Sequence, residues 1–304
     1  MKKIWATLLM GMAMMTFTFA TVEKTDVVVS SEEPYVIAAE LKALEANDFV
    51  PPALPATAED YAQIFLYMAM NDIFEYDIDL INARFDVAAS TDYKSIINAG
   101  FHLAGNKYPE YMAFTNENNY RIASAGIGSK LTLNLSDDEF SQEEISLMRT
   151  LFKIRTDGYI AQLKSEGKLR DDMSEIVKAK VIYEWIVWHT QYDQELKHIS
   201  STGFGLYDNR LAICEGYTAA YNMMCRSLGI DIQAVTGFSK DNPNGIGHMW
   251  SMARLEGILV HIDSTWGDPV GENLPEDYIN YNYFALEPKM MKADHIWDEA
   301  VYGQ

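Results

Sequence analysis

The sequence predicts an α+β protein in which a helix beginning at a cysteine packs on an antiparallel β-sheet that carries a histidine and an aspartate. Three observations predict this class. Helical periodicity starts at Cys214 and ends at Gly229. Two apolar runs, 248–255 and 258–265, are separated only by Glu256-Gly257, a pair typical of a two-residue hairpin turn. Upstream, helical and strand-like patterns alternate, which predicts a smaller α+β N-terminal domain.

The composition is that of a globular protein. The chain has 304 residues, of which 48% are hydrophobic and 22% are charged. It carries 44 acidic residues against 24 basic ones, a formal net charge of −20. This balance argues against nucleic acid and anionic membrane surfaces as partners, because both require basic patches.

Residues 1–20 have the pattern of a secretory signal peptide. Lys2 and Lys3 form a charged start, an apolar run covers 4–17, and small residues fit a cleavage site after Ala20. The run is shorter than the roughly 20 residues that a membrane-spanning helix needs. We therefore expect cleavage, no stable membrane span afterwards, and a secreted, periplasmic or cell-envelope location.

The remaining chain divides into three predicted segments. Residues 21–57 are predicted to be a flexible linker that ends in a proline-rich loop. Residues 58–165 are predicted to form an accessory α+β domain, because they hold no cluster of His, Cys, Asp or Glu that suggests chemistry. Residues 170–304 are predicted to form the catalytic domain.

The elements of the first half follow from periodicity and capping. Helices are predicted over 58–70, 93–105, 141–166 and 174–189. Thr57 is the candidate N-cap of the first helix, and Ser141 with Glu144 forms a capping box for the third. Strands are predicted over 73–81 and 130–135, where apolar and polar residues alternate.

The two cysteines are not expected to form a disulfide. Apolar residues at helical spacing place Cys225 on the helix that begins at Cys214, eleven residues later. At about 1.5 Å per residue their α-carbons lie roughly 16 Å apart, beyond the ~7 Å limit for a disulfide. Cys214 is therefore predicted to be a free thiol at a helix N-terminus, where unpaired N–H groups and the helix dipole favour a thiolate. A buried structural cysteine is the alternative.

The hairpin brings a histidine and a carboxylate together. If Leu255 is paired with Ile258 across the turn, the residue numbers of every cross-strand pair sum to 513. In this register His248 and Asp263 are diagonal neighbours on one face of the hairpin. The carboxylate would then orient the imidazole and leave its other nitrogen to face the thiol.

His261 supports two alternatives. It lies on the same predicted face as Asp263 and is a rival for the base, but its cross-strand partner would be Met252, well down the strand. The second alternative is a metal site formed by His248, His261 and Asp263. Because Cys214 gives His248 a role that needs no metal, no metal and no organic cofactor is expected.

These motifs resemble the transglutaminase-like superfamily, in the style of bacterial exported members with a papain-like core. The segments that carry the resemblance are Cys214-Glu215-Gly216-Tyr217, Gly247-His248-Met249-Trp250 and the run 261–269. The resemblance covers roughly residues 170–298. It implies that Cys214 is the nucleophile, His248 the general base and acid, and Asp263 the orienting residue.

The resemblance also implies a function. An exported cysteine enzyme that performs thiol acyl transfer on amide bonds is expected, with peptidase- or amidase-type hydrolysis of protein or peptide substrates near the cell envelope favoured. Cross-linking or deamidation of protein glutamine and a non-catalytic binding module are the alternatives, and the oligomeric state stays open. The candidate substrate-pocket residues are Phe204, Glu215, Tyr217, Trp250 and Trp266, with packing as the alternative role for the two tryptophans. Phe204 stands where tyrosine is usual, Met249 where alanine is usual, and Ser251 where asparagine is usual.

Overall fold

The structure is a computed structural model that describes residues 51–52, 55–79, 91–113, 120–125, 128–270, 274–275 and 278–302. The predicted signal peptide and most of the predicted linker lie outside these residues. In the described part of the chain, no helix has the length and apolar character needed to cross a membrane.

The first described helices pack beside a three-stranded antiparallel sheet. The helices are α1 (Ala58–Met70), α2 (Thr91–Lys107) and α3 (Pro109–Met112). The strands are β1 (Glu75–Asp79), β2 (Tyr120–Ala125) and β3 (Gly128–Asn134), in the order β1-β3-β2. The structure confirms the predicted helices 58–70 and 93–105 and both predicted strands, and it adds β2. Thr57 caps α1, since its hydroxyl accepts the Asp60 N–H and the Asp60 carboxylate accepts the Thr57 N–H.

Two long helices follow. The helix α4 (Gln142–Ser165) begins at the predicted capping box of Ser141 and Glu144, and α5 is Glu175–His189. Beyond α5 come a two-stranded parallel pair and short helical turns. These elements are β4 (Gln191–Tyr192), a 3-10 turn (His198–Ser201), α6 (Gly203–Asn209) and β5 (Leu211–Ala212).

The central helix α7 is Cys214–Ser227, and Gly229 follows it with a left-handed φ of 80°. It starts at the predicted residue and ends two residues before the predicted end at Gly229. Cys214 and Cys225 lie near opposite ends of α7 and both are free thiols, as expected. Nearly every residue from Cys214 to Cys225 is buried, because α7 lies between other helices and a sheet.

That sheet has four antiparallel strands. They are β6 (Asp231–Ser239), β7 (His248–Leu255), β8 (Ile258–Ile262) and β9 (His295–Trp297), in the order β8-β7-β6-β9. Two short helices, α8 (Pro288–Met291) and α9 (Glu299–Tyr302), and a 3-10 turn (Tyr281–Tyr283) surround β9 in the chain.

The β7–β8 hairpin has the predicted register, with Leu255 opposite Ile258 and Met252 opposite His261. Glu256 and Gly257 both have positive φ, 49° and 81°, which is the signature of a type I′ turn. Strand β8 ends at Ile262, three residues earlier than expected. The physical reason lies in the next residue, Asp263, whose carboxylate accepts the backbone N–H groups of Thr265 and Trp266 and turns the chain away from β7.

The structure confirms the predicted α+β class, in which the cysteine-bearing helix packs on the antiparallel sheet. One buried cluster lies among α4, α5, α7 and that sheet, and a second lies among α1, α2 and the three-stranded sheet. A buried ion pair between Arg226 of α7 and Glu110 of α3 connects the two regions. All described residues fall in one compact unit, and the boundary between accessory and catalytic domains stays a prediction.

Candidate active site

Cys214 is the first residue of α7. The preceding residue, Ile213, offers no side-chain cap, so the first-turn N–H groups of the helix keep no side-chain acceptor. Gly216 lies in this turn, and a Cβ there would come within 2.4 Å of the Ser200 carbonyl oxygen. Only glycine therefore lets the segment before α6 approach α7 so closely. The sequence predicted the position of Cys214 at the N-terminus of this helix.

The environment of Cys214 keeps its thiol protonated. Its Sγ donates to Glu215 Oε2 over 3.0 Å, and the residue is 8% exposed. Burial raises the pKa of the Cys214 thiol well above its usual range, and the charge and hydrogen bond of Glu215 raise it further. The backbone N–H of Met249 acts in the opposite direction. The helix N-terminus was expected to favour a thiolate, and burial beside a carboxylate reverses that expectation.

The start of β7 lies against α7 at this point. The Thr218 hydroxyl donates to the Met249 carbonyl over 3.2 Å. Met249 therefore contacts α7 through its carbonyl and Cys214 through its N–H. His248 is the residue before Met249, so it belongs to the part of β7 that lies against the start of α7.

His248 and Asp263 are hydrogen-bonded, with 2.7 Å between Nε2 and Oδ2. His248 is the first residue of β7 and Asp263 directly follows the last residue of β8, so the predicted hairpin register brings the two side chains together. With Nε2–H donated to the carboxylate, Nδ1 is left as the nitrogen available to a thiol.

Asp263 is fully buried and accepts four hydrogen bonds. Its Oδ1 accepts the backbone N–H groups of Thr265 (2.9 Å) and Trp266 (3.0 Å), and its Oδ2 faces His248 and His295. Burial alone would raise the pKa of this carboxyl. The charge and hydrogen bond of His248, with those of His295, instead hold it well below its usual range. Asp263 is therefore a carboxylate at neutral pH.

The imidazole of His248 stacks with two indole rings. Its ring centroid is 5.7 Å from that of Trp250 and 5.4 Å from that of Trp266, with both pairs stacked. Trp250 is 1% exposed and belongs to the core, whereas Trp266 also lines the open cleft. Both tryptophans thus restrict the plane of the imidazole.

His261 has a structural role in the described region. Its Nδ1 accepts the Trp250 indole N–H over 2.9 Å, and its backbone pairs with Leu286. Burial lowers the pKa of His261 to about 4, and positive charge at His295 and Lys292 lowers it further. A neutral imidazole committed to Trp250 cannot also orient toward Cys214, which supports His248 as the base.

The structure places a second histidine on Asp263 that the sequence reasoning did not select. His295 Nε2 lies 3.2 Å from Asp263 Oδ2, and His295 Nδ1 lies 2.6 Å from Asp294 Oδ1. The hydroxyl of Tyr283 donates to Asp294 Oδ2 over 2.7 Å. The only sequence signal was that Asp294-His295 falls within the region of family resemblance.

A cleft of about 410 Å³ opens beside His248. Its lining residues are Tyr192, His248, Thr265, Trp266, Asp268, Pro269, Val270, Asn280 and Tyr283. Tyr192 connects this cleft to the cysteine, since burial and then the charges of Cys214 and Glu215 raise its pKa to about 12. Neither Tyr192 nor Asp268 was among the predicted pocket residues, although both lie within the range 170–298 that the resemblance covers.

The remaining predicted pocket residues differ in position. Glu215 contacts the Cys214 thiol. Tyr217 is buried and donates its hydroxyl to Asp268 Oδ2 over 2.5 Å, behind the cleft wall. Phe204 packs beside the core with the Arg155 guanidinium 5.1 Å from its ring, and it is not part of the cleft lining.

The contacts around Asp263 also bear on metal binding. One polar atom each from His248, Asp263 and His295 lie within 4.8 Å of one another. Both imidazoles direct a nitrogen at the same carboxylate oxygen, so a metal ion here would have to replace both hydrogen bonds. We therefore assign the three residues to a hydrogen-bonded cluster.

Comparison with known proteins finds a family match for part of the chain. Residues 164–264 match the model of the Transglutaminase-like superfamily. The chain is similar to the kyphoscoliosis peptidase of Homo sapiens, with 24% identity over 182 residues that make up 55% of this chain and 27% of that protein. It is similar to the kyphoscoliosis peptidase of Mus musculus, with 27% identity over 145 residues, which are 43% of this chain and 22% of that protein.

The chain spans about a quarter of the length of these curated relatives. Among solved structures, it is similar to a crystal structure of a TGase at 16% identity and a TM-score of 0.34, covering 70% of this chain and 56% of that one. The matched family region contains the cysteine at the start of α7 and the hydrogen-bonded pair of the β7–β8 hairpin. Residues 164–264, with Cys214, His248 and Asp263 among them, are a transglutaminase-like domain.

Proposed function

We propose that this protein is an exported cysteine-dependent enzyme that transfers the acyl group of an amide to Cys214 and then to water. The observation that carries the proposal is the 2.7 Å hydrogen bond between His248 and Asp263, beside a cysteine at the start of α7. A histidine oriented by a buried carboxylate is the arrangement that activates a thiol or hydroxyl nucleophile.

The reaction begins with proton transfer from Cys214 to His248 Nδ1. The sulfur attacks the amide carbonyl carbon, and a tetrahedral intermediate forms. Its collapse breaks the C–N bond, His248 returns the proton to the leaving amine, and a thioester remains on Cys214. Water then attacks the thioester with His248 as base, which releases a carboxylic acid and regenerates the thiol.

The base is essential because the Cys214 thiol is not activated by its own surroundings. Burial and Glu215 raise its pKa, so the thiolate must be generated by His248 as the substrate arrives. Asp263 stabilises the imidazolium that this step creates, since it is itself a carboxylate.

The start of α7 supplies the electrostatic support. The tetrahedral intermediate carries a negative oxygen, and first-turn N–H groups without a side-chain cap are donors for it. The helix dipole favours negative charge at the same place.

The proposed substrates are proteins or peptides near the cell envelope. The relatives named above are peptidases by name, the sequence of residues 1–20 has a signal-peptide pattern, and the net charge of −20 disfavours nucleic acid. Export, location and peptidase specificity are parts of the proposal. Glutamine cross-linking or deamidation uses the same thioester, with an amine replacing water or with ammonia as the leaving group.

The test compares wild type with Cys214→Ala on a panel of envelope peptides and glutamine-containing proteins, with mass spectrometry of the products. Chain cleavage adds the mass of water across two fragments, deamidation adds about one dalton, and cross-linking joins two chains with loss of ammonia. We expect cleavage products that depend on Cys214. Cross-links or deamidation that depend on Cys214 would replace the hydrolytic assignment.

Cys225→Ala is the matched control. Cys225 is a buried free thiol on the same helix, near its other end, so its removal should leave the product yield unchanged. A folded wild-type protein that yields no Cys214-dependent product from the whole panel would contradict the enzymatic proposal and favour a binding module.

A further inference from the structure

His295 occupies an unusual position between two carboxylates. Its Nε2 faces Asp263 Oδ2 at 3.2 Å, and its Nδ1 faces Asp294 Oδ1 at 2.6 Å. The side chain has no exposed surface. His295 therefore joins Asp263 of the candidate triad to a second acidic residue on the opposite side.

The two contacts of His295 can be compared with the hydrogen-bonding capacity of an imidazole ring. A neutral imidazole has one N–H donor and one bare nitrogen, and a bare nitrogen facing a carboxylate is an acceptor facing an acceptor. Both contacts are satisfied only when both ring nitrogens carry protons. The ring is then an imidazolium held between two negative charges, which is the condition under which a buried charge is tolerated.

The other groups that face His295 support the same assignment. The Tyr283 hydroxyl donates to the far oxygen of Asp294, which keeps that carboxylate in place. The ring centroids of Trp266 and Trp250 lie 4.2 and 4.7 Å from that of His295, and indole faces attract cations. The His248 ring lies 5.5 Å away.

Two further groups belong to the surroundings of this site: His261 of β8 and Lys292, the residue that follows α8. Positive charge at His295 and at Lys292 contributes to the lowered pKa of His261, so that ring is neutral. Lys292 itself pairs with Glu299 over 2.8 Å, on the outer side of the cluster. The charged groups in direct contact with His295 are thus the two carboxylates.

We propose that His295 is a positioning residue which holds Asp263 in place and carries a buried positive charge that balances it, so that His248 remains a neutral base at neutral pH. The inference rests on the proposed function, because it assigns His248 as the base. Without the positive charge of His295, the negative charge of Asp263 would act on His248 alone and would favour its protonated form. A protonated imidazole cannot accept the proton of Cys214.

The direct test is the protonation of His295 in protein labelled with 15N-histidine. The chain has six histidines, and the signals of His295 are assigned by their loss in His295→Gln. We expect two protonated ring nitrogens on His295 at pH 7. One protonated and one bare nitrogen in the folded wild type would overturn the proposal.

Asp294→Asn separates charge from geometry. An asparagine can donate its amide N–H to Nδ1 while Nε2–H still donates to Asp263, so both contacts persist with a neutral ring. Asp298→Asn is the matched control, because it removes the same charge four residues later, where Asp298 caps α9 through the Ala300 N–H.

The functional readout is the rate of Cys214 alkylation by iodoacetamide from pH 5 to 9. The acidic limb of this profile should move to higher pH by about one unit in Asp294→Asn, with a tenfold slower reaction on that limb. The shift should be larger in His295→Gln, which loses the nearby positive charge and keeps the Asp294 carboxylate. The profile of Asp298→Asn should superimpose on that of wild type.

A purely structural role for His295 predicts a different result. The alkylation rates of both variants would then differ from wild type by the same factor at every pH, without a shift of the acidic limb, and that result would overturn the proposal. Variant profiles that superimpose on the wild-type profile would also overturn it. Since alkylation requires no amide substrate, it is independent of turnover. Loss of all amide products with a shifted limb would contradict the proposed function and leave the role of His295 standing.

Discussion

The thiol of Cys214 donates a hydrogen bond to the carboxylate of the next residue, Glu215, with 3.0 Å between Sγ and Oε2. The nucleophile of the proposed reaction is therefore held as a neutral thiol by its own neighbour. This contact runs against the effect of the helix N-terminus, and burial adds to it. A free cysteine is protected by this arrangement, because oxidation proceeds through the thiolate.

The first prediction concerns Glu215→Gln. Removing the negative charge should lower the pKa of the Cys214 thiol toward its usual range and raise its alkylation rate at pH 7 roughly tenfold. Timed iodoacetamide labelling with mass spectrometry measures the rate. Glu143→Gln is the control, because Glu143 is an exposed glutamate in the first turn of α4. Equal rates in Glu215→Gln and wild type would show that Glu215 does not hold the thiol proton.

The second prediction concerns Asp263→Asn. The asparagine oxygen can still accept the N–H groups of Thr265 and Trp266, but its amide would donate to His248 Nε2 and move the ring proton to Nδ1. The wrong tautomer cannot accept a proton from Cys214. Cys214-dependent product formation should fall by about 10⁴-fold, while the circular dichroism spectrum stays unchanged. A folded Asp263→Asn protein with activity near that of wild type would remove Asp263 from the orienting role.

The third prediction is a pH dependence of stability that originates in His261. Its pKa is about 4 in the folded state against 6.5 for a free histidine, so the unfolded chain binds its proton more readily. The free energy of unfolding should therefore decrease as the pH falls from about 6.5 toward 4, by about 3 kcal/mol in total from this residue.

The comparison variant for this effect is His261→Gln, whose amide oxygen can still accept the Trp250 indole N–H. Urea unfolding of both proteins at pH 7 and pH 4 gives the two changes in stability. Wild type should lose about 3 kcal/mol more than the variant over this range. An identical loss in both proteins would mean that His261 is not buried as a neutral ring.

The fourth prediction concerns the buried ion pair that connects α3 to the cysteine-bearing helix. Arg226 Nε donates to Glu110 Oε1 over 2.7 Å, its guanidinium also donates to the Lys107 carbonyl, and it lies 4.5 Å from the Tyr108 ring. Glu110 is 3% exposed, and burial raises its pKa in spite of the arginine. Glu110→Ala should lower the free energy of unfolding by about 3–5 kcal/mol, because it leaves an uncompensated buried charge.

Replacing both partners tests the cause of that loss. The double variant Glu110→Leu with Arg226→Met removes both charges and keeps apolar volume, and it should be closer to wild type in urea unfolding than Glu110→Ala is. If the double variant loses as much stability as the single one, packing rather than charge explains the effect.

Much of the fold was predictable because its signals are local. Helical periodicity and capping residues placed α1, α4 and α7 within a residue or two of their observed bounds. The strands β2, β4, β5 and β9 were not predicted. Three of these, β4, β5 and β9, have three residues or fewer, and such short segments carry too few residues for a periodic pattern. Strand β9 also pairs with β6, which lies far away in the chain.

The candidate site shows the same division. The Glu256-Gly257 turn determined the register of β7 and β8, and this placed His248 and Asp263 together before any tertiary contact was known. Helical spacing determined that Cys214 begins α7 and cannot reach Cys225. Both results depend only on the regular geometry of a helix and of a hairpin, which local sequence determines.

Only the tertiary structure decided how the site is charged. It brought His295 to Asp263 from 32 residues away, buried the thiol beside Glu215, and committed His261 to Trp250. Each of these contacts depends on how helices and strands pack and on which polar atoms lose water in doing so, and desolvation is a property of the folded interior rather than of the sequence pattern. The sequence by itself determined that Cys214 begins α7 and that the β7–β8 turn brings His248 to Asp263, and the packing around them decided which polar groups these residues contact.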